Sequence, residues 1–235
     1  SVRLGVGQFC TSPGIVVTVA GDQGASFKDA LSAALCDEPP GTMLHPGIRK
    51  GYQGALEQLA ASHGVEVVTR GPAGTGPCDA EAALLQTDAS SFIGDKSLQG
   101  EVFGPSTMLV ECSSMEQMFQ VARSLEGQLT ATVQGTTEEL QQCTPLLDLL
   151  EDRVGRILFN GMPTGVEVGE AMHHGGPWPA TTDSRWTSVG AASIQRFVRP
   201  VCWQGFPDSL LPVDLRSTVQ GRRRVDGVWQ DPGNR

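Results

Sequence analysis

The sequence reads as an α/β protein, a largely parallel sheet covered by helices, and three observations carry that reading. Short β-branched runs recur along the chain. Stretches with apolar residues at helical spacing lie between them. Gly and Pro, 29 and 15 residues, mark the joins. Strand and helix alternating at this spacing favour parallel strands joined by helical crossovers.

The elements follow in order. Ile15-Val16-Val17-Thr18-Val19 is readable as a buried strand. Residues 26–36 put Phe27, Ala30, Leu31, Ala34 and Leu35 on one helical stripe. Residues 46–62 form a second helix: Pro46 suits its first turn, Ile48, Tyr52, Ala55, Leu56 and Leu59 form its stripe, and Gly64 stops it. A strand at 65–69 leads into a Gly/Pro-rich loop at 71–77, then strands at 82–86 and 107–112. Ser113 and Glu116 fit a capping box before a helix carrying Met115, Met118, Phe119, Ala122 and Leu125. A strand at 129–133 precedes a second box, Thr136 and Glu139, and a helix that Pro145 interrupts. A strand at 154–159 runs into Asn160-Gly161. From there to Gly190 the pattern dissolves, as in a functional loop. Residues 194–204 are apolar again. The tail from Pro207 has strand-like ends and no core of its own, which suits docking on a partner subunit.

Bulk properties exclude several classes. With 17 basic and 26 acidic residues the net charge is −9, the wrong sign for a nucleic-acid partner. The run Arg222-Arg223-Arg224 reads as a solvated face of a strand. No apolar run is long enough to span a membrane, and residues 1–7 do not read as a signal peptide. The six cysteines are scattered without a C-x-x-C pair, which favours a reducing, cytoplasmic setting over a disulfide framework. The four histidines are not spaced against them as zinc ligands, so no metal is expected. Gly71-Pro72-Ala73-Gly74-Thr75-Gly76 is Gly-rich but lacks the strand–turn–helix setting of a dinucleotide fingerprint, and reads as a surface loop.

Cys10 stands in Gly7-Gln8-Phe9-Cys10-Thr11, before a Pro13-Gly14 turn and a strand. On its own, such a cysteine reads by default as a buried structural thiol. The wider pattern changes that. Gly-Gln-Phe-Cys-Thr followed by Pro-Gly resembles the nucleophile motif of the aldehyde dehydrogenase superfamily. Glu101-Val102-Phe103-Gly104-Pro105 resembles its E-[IV]-F-G-P segment, and Leu129 to Val133 and Gly155 to Asn160 are similar to further family segments. The resemblance covers nearly the whole chain to about Gly190. Asn160 to Val166, Gly175-Gly176-Pro177-Trp178-Pro179-Ala180-Thr181-Thr182-Asp183, Thr187 to Gly190 and Arg196 to Cys202 resemble one branch in particular, the α-ketoglutaric semialdehyde (2,5-dioxopentanoate) dehydrogenases.

The resemblance implies a mechanism. Cys10 attacks the aldehyde carbon to give a thiohemiacetal, hydride passes to NAD or NADP, and water hydrolyses the resulting thioester. The Cys10 backbone N–H would help hold the oxyanion. Glu101 would bond the nicotinamide ribose hydroxyls and Phe103 would pack beside that ribose. Phe9, Thr11, His174 and Phe197 would contact the aldehyde substrate. Arg185, Arg196 and Arg199 are candidates for a distal carboxylate, although each reads first as a salt-bridge or subunit contact.

The resemblance also sets an expectation about missing parts. The family's general-base Glu, its oxyanion-hole Asn and its dinucleotide-binding domain lie upstream of the nucleophile, and nine residues precede Cys10 here. The chain therefore reads as a catalytic domain, 1–198, with a strand-like oligomer-contact tail, 199–235, lacking the N-terminal cofactor domain and inactive alone. It is expected to form a homo-oligomer at full length. Alternatives are a dehydrogenase of another aliphatic aldehyde and a non-catalytic assembly module.

Overall fold

The computed structural model describes residues 1–231; the last four residues of the expected tail lie outside them. The chain divides into two compact units, Ser1–Arg196 and Phe197–Arg235.

The first unit is built on a four-stranded sheet. Its strands are β1 (Ile15–Val19), β3 (Val65–Arg70), β5 (Ala83–Asp88) and β6 (Ser106–Cys112), in the order β1-β6-β5-β3. β6 runs parallel to both β1 and β5, with Ile15 opposite Met108 and Ala83 opposite Ser106. β3 closes one edge antiparallel to β5, with a bulge between Val67 and Thr69. Two residues each at Gly41–Thr42 (β2) and Asp79–Ala80 (β4) form a separate antiparallel pair.

Alternation along the central strands explains why they read as continuous apolar runs. Leu84 of β5, Leu109 of β6 and Val16 of β1 pack on one face with Leu31 and Leu35 of α1 (Asp22–Cys36). Their neighbours Leu85, Met108, Val110 and Val17 face the other way. There they meet α2 (Pro46–Ala60), α3 (Ala89–Gly94) and α4 (Met115–Ser124) through Tyr52, Leu56, Phe92 and Val121. A strand buried on both faces has no polar side to show. α1 starts four residues before the expected 26, and the outer part of its stripe, Phe27, Ala30 and Ala34, is exposed. α2 begins at Pro46 as its sequence dictates, with the His45 ring accepting from the Gly47 N–H at 2.9 Å. The Tyr52 hydroxyl donates to the Glu81 carbonyl at 2.9 Å, and burial pushes its pKa up.

β7 (Gln128–Val133) and β8 (Val154–Phe159) form a separate parallel pair. Between them the chain makes two helices, α5 (Thr137–Gln142) and α6 (Thr144–Glu151). Pro145 sits in the first turn of α6, so it opens a new helix rather than bending one. The box at Thr136 and Glu139 is complete. The one at α4 is shifted by a residue: Ser114 is the N-cap and accepts from Gln117, whose side chain in turn accepts from Ser113. Asn160, at φ 52°, ends β8 and exchanges two side-chain hydrogen bonds with Gly135, at 2.9 and 2.8 Å.

α3 is capped by Asp88, whose carboxylate accepts from Ser90 N, Ser91 N and the Ser91 hydroxyl at 2.8, 3.0 and 2.6 Å. These bonds, the Ser91 hydroxyl first, hold its pKa below the usual carboxylate value. A depressed folded pKa means stability that is present above the unfolded value of about 3.9 and lost as pH falls through the folded one. Asp88→Ala is expected to cost about 1 kcal/mol at pH 7. Urea denaturation should show that gap narrowing below about pH 4; an equal gap at pH 3 would contradict the assignment.

In the second unit, none of residues 197–231 is buried. It holds two short 3-10 turns, Asp208–Leu210 and Val213–Leu215, and a hairpin of β9 (Arg223–Val225) and β10 (Val228–Gln230). Asp226 and Gly227 turn the hairpin with φ of 50° and 83°, the signature of a two-residue primed turn. Within the expected basic run, Arg222 lies 4.9 Å over the Trp229 ring and 3.2 Å from Asp231. No helix of the described residues is long and apolar enough to cross a membrane, and among them no three His, Cys, Asp or Glu side chains gather as metal ligands.

Candidate active site

The turn that carries Cys10 is set by the residues before it. Gly5, Val6 and Gly7 have φ of 56°, 59° and 68°, a left-handed run that a β-branched residue seldom adopts. Gly7 is needed for a second reason: a Cβ there would run into the Gly104 carbonyl. A Cβ on Gly104 would in turn meet the Tyr52 ring. Tyr52, Gly104 and Gly7 thus stack α2, the 101–105 segment and the Cys10 turn without a gap.

Beyond Gly7 the chain makes a tight turn, with Ser12 N donating to the Phe9 carbonyl at 3.0 Å. Cys10 and Thr11 are its central residues and point to different fates. Thr11 is buried, and its hydroxyl donates to the Pro163 carbonyl at 2.9 Å. Cys10 is exposed, and its backbone N–H has no acceptor among the described residues. Phe9, 41% exposed, lays its ring over Gly5.

The Cys10 Sγ lies 3.1 Å from Nε2 of His174. His174 is only 8% exposed, and its other ring nitrogen, Nδ1, has no partner among the described residues. Its main chain is fixed on both sides. The His174 N–H donates to the Thr187 hydroxyl at 2.8 Å, and that hydroxyl donates to the Val189 carbonyl at 2.6 Å. The His174 carbonyl accepts from Ser188 N at 2.9 Å. Burial lowers the His174 pKa, helped by the nearby Arg156 guanidinium and by His173. Arg156 itself is committed to main chain: it donates to the Pro163 and Gly165 carbonyls at 2.7 and 3.1 Å. The Pro163 carbonyl therefore joins β8, through Arg156, to the Cys10 turn, through Thr11.

The loop bearing His174 rests on β7 and β8 through glycines. A Cβ on Gly155 would strike the Gly175 carbonyl, one on Gly176 the Gln128 carbonyl, and one on Gly127 the Pro177 carbonyl. Such approaches leave no room for a methyl group.

The other expected site residues distribute as follows. Glu101 and Phe103 are exposed on the segment stacked against Gly7, and Glu101 takes no hydrogen bond or ion pair among the described residues. Phe197 is 85% exposed and belongs to the second unit. Arg185 is held by Asp183 through two hydrogen bonds of 2.9 and 2.6 Å, as its salt-bridge reading requires. Arg196 donates to the Ser188 hydroxyl. The Gly71–Gly76 loop leads into β4 and β5 rather than a helix, and the Gly76 N–H donates to the Asp79 carboxylate at 2.7 Å. A carboxylate of the chain itself takes the place a phosphate would need. Sequence reasoning missed Arg156, Thr187 and the direct contact of His174 with Cys10. Cys10 and His174 stand 164 positions apart in sequence, and no local signal marks their contact.

Comparison with known proteins agrees with this architecture. The chain is 44% identical over 218 residues to alpha-ketoglutaric semialdehyde dehydrogenase 2 of Azospirillum brasilense, covering 93% of this chain and 42% of that protein. It is 40% identical over 231 residues to alpha-ketoglutaric semialdehyde dehydrogenase of Acinetobacter baylyi, covering 97% and 44%. No protein-family model matches it. In fold it resembles betaine aldehyde dehydrogenase of Staphylococcus aureus, with a TM-score of 0.64 at 16% identity over 83% of this chain and 41% of that one. The chain thus spans about two fifths of the length of the curated relatives it matches, and it is a relative of the aldehyde dehydrogenases along nearly all of its own.

Proposed function

We propose that this chain, an aldehyde dehydrogenase relative, is the thiol-bearing part of an NAD(P)-dependent enzyme that oxidises a semialdehyde, α-ketoglutaric semialdehyde to α-ketoglutarate, with Cys10 as nucleophile. The observation that carries the reading is the sulfur of the exposed Cys10 held 3.1 Å from a buried imidazole, on a turn stacked against the Glu101–Phe103 segment. The relatives named for this reaction supply the substrate.

The chain's own residues divide the work. The Cys10 sulfur bonds the aldehyde carbon, giving a thiohemiacetal and later a thioester that water cleaves. The unpaired Cys10 N–H is a donor for the oxyanion that forms in the first step. Glu101 suits the nicotinamide ribose, because an exposed carboxylate without a partner accepts from two hydroxyls. Phe103 offers a 38% exposed ring beside it. NAD or NADP, when bound, supplies the hydride acceptor. Phe9 and His174 flank the sulfur, Thr11 anchors the turn, and Phe197 is assigned to the substrate by resemblance. We further propose a cytoplasmic homo-oligomer whose contacts use the 199–235 tail, where Val201, Trp203, Phe206, Leu210 and Val228 stand exposed.

Limiting iodoacetamide followed by peptide mapping tests the central assignment. Cys10 is expected to be labelled first of the six thiols. Cys112 should be slowest, since burial pushes its pKa up to about 11. Labelling that favours Cys36 or Cys202, the other exposed thiols, would sink the assignment.

A further inference from the structure

We infer that His174 donates a hydrogen bond from its Nε2–H to the Cys10 sulfur, acting as a fixed donor that stabilises the ionised nucleophile and not as the base that deprotonates it. This rests on the reading of Cys10 as nucleophile. The alternative role for an imidazole 3.1 Å from a thiol is to take its proton, and the surroundings of the ring decide between the two.

The decision turns on Nδ1. That atom is buried and unpartnered among the described residues. To accept a proton from the thiol, Nε2 must begin bare, which puts the imidazole proton on Nδ1 and leaves a buried N–H with no acceptor. Orphaned buried N–H groups are the rarer and more costly defect. With the proton on Nε2 instead, Nδ1 keeps an unshared lone pair and the sulfur receives a hydrogen bond. The ring nitrogen that faces the sulfur is then a donor from the start.

Charge points the same way. The charged or titratable groups around His174 are Arg156 on β8, His173 beside it and Cys10 itself. An imidazolium formed by taking the thiol proton would have to lie near the Arg156 guanidinium in a buried site, and both burial and that cation lower the His174 pKa. The main chain that carries the ring is held in place. Its backbone is tied to Thr187 and Ser188, and Gly175 next to it is pressed against Gly155. In this scheme the thiol proton leaves to solvent, the electron pair stays on sulfur, and the imidazole keeps its proton throughout.

The test uses the 235-residue chain. Second-order alkylation of Cys10 by iodoacetamide at pH 7 is measured by peptide mapping for wild type, His174→Leu and His174→Gln. Leucine removes the donor, and the Cys10 rate should fall about fourfold, the effect of one hydrogen bond to an anion after the gain in nucleophilicity that accompanies its loss. Glutamine offers an amide N–H in place of Nε2–H and should restore the rate. A general base would not be rescued by glutamine, so equal slowing of both variants overturns the inference. Nitrogen-15 shifts of the His174 ring in wild type need no variant to fold: an Nε2-protonated pattern supports the inference, and an Nδ1-protonated one overturns it. Failure of the underlying reading looks different, because wild-type label would then appear first at another cysteine while the ring pattern still reports the tautomer.

Discussion

Replacing Cys10 by alanine is expected to lower semialdehyde oxidation by roughly 10⁴-fold or more in a polypeptide of the relatives' full length, because covalent catalysis has no substitute once its nucleophile is gone. The effect should fall on kcat, with far less change in cofactor binding, since Glu101 and Phe103 are untouched. Assayed alone, these 235 residues are expected to form no NADH or NADPH from α-ketoglutaric semialdehyde: the resemblance assigns the general base and most of the cofactor site to a region outside them. Two outcomes would count against this account. One is reduced nicotinamide produced by the isolated chain. The other is a Cys10→Ala enzyme that keeps a substantial share of its rate.

Gly7→Ala should be the most damaging single methyl group near the site. Gly7 is left-handed at φ 68°, and its Cβ would run into the Gly104 carbonyl, which belongs to backbone and has no rotamer to change. The backbone conformation costs about 1 kcal/mol for alanine. Overpacking adds about 1–3 kcal/mol. A total of about 3 kcal/mol is a large part of ordinary domain stability. Because the same contact seats the Cys10 turn, alkylation of Cys10 should change together with the urea midpoint. Gly14→Ala is the matched control: nothing lies within 4 Å of its Cβ position, so a shift within about 0.5 kcal/mol is expected. Equal losses in the two variants would show that the Gly7 contact does not determine the effect.

The sequence disclosed elements better than it disclosed their arrangement. Ile15–Val19 and Val154–Phe159 form strands over the spans their β-branched and apolar residues imply, and Pro46 opens α2 as its missing N–H requires. The capping box at α4 slipped by one because Ser113–Glu116 and Ser114–Gln117 fit the same pattern, and only the folded turn chooses between them. The antiparallel β3 was not legible, since strand direction is set by how the 71–82 segment returns along the sheet and not by the residues within the strand. Periodicity in α1 gave an apolar stripe, yet Leu31 and Leu35 alone meet the sheet while Phe27 stays exposed.

The site divides along the same line. Cys10, Glu101 and Phe103 lie in short motifs, so the sequence places them by resemblance. His174 was expected to contact the substrate, but its place beside the sulfur was not legible, because that contact is made by the course of the loop after β8. What fixes the loop is the absence of side chains at Gly155, Gly176 and Gly127, a kind of information that composition and periodicity do not carry.

Those glycines bear on any mutational test of the proposed activity. An alanine scan is designed to report what a side chain contributes, but at Gly127, Gly155 and Gly176 it would report what one added carbon obstructs. Such positions would rank among the most sensitive in the chain while touching no substrate. On the proposed function, a mutagenesis library meant to change which aldehyde is accepted therefore has its usable diversity at exposed neighbours of the turn, such as Phe9 and Met162. Random substitution at the glycines would spend most of its members on misplaced loops.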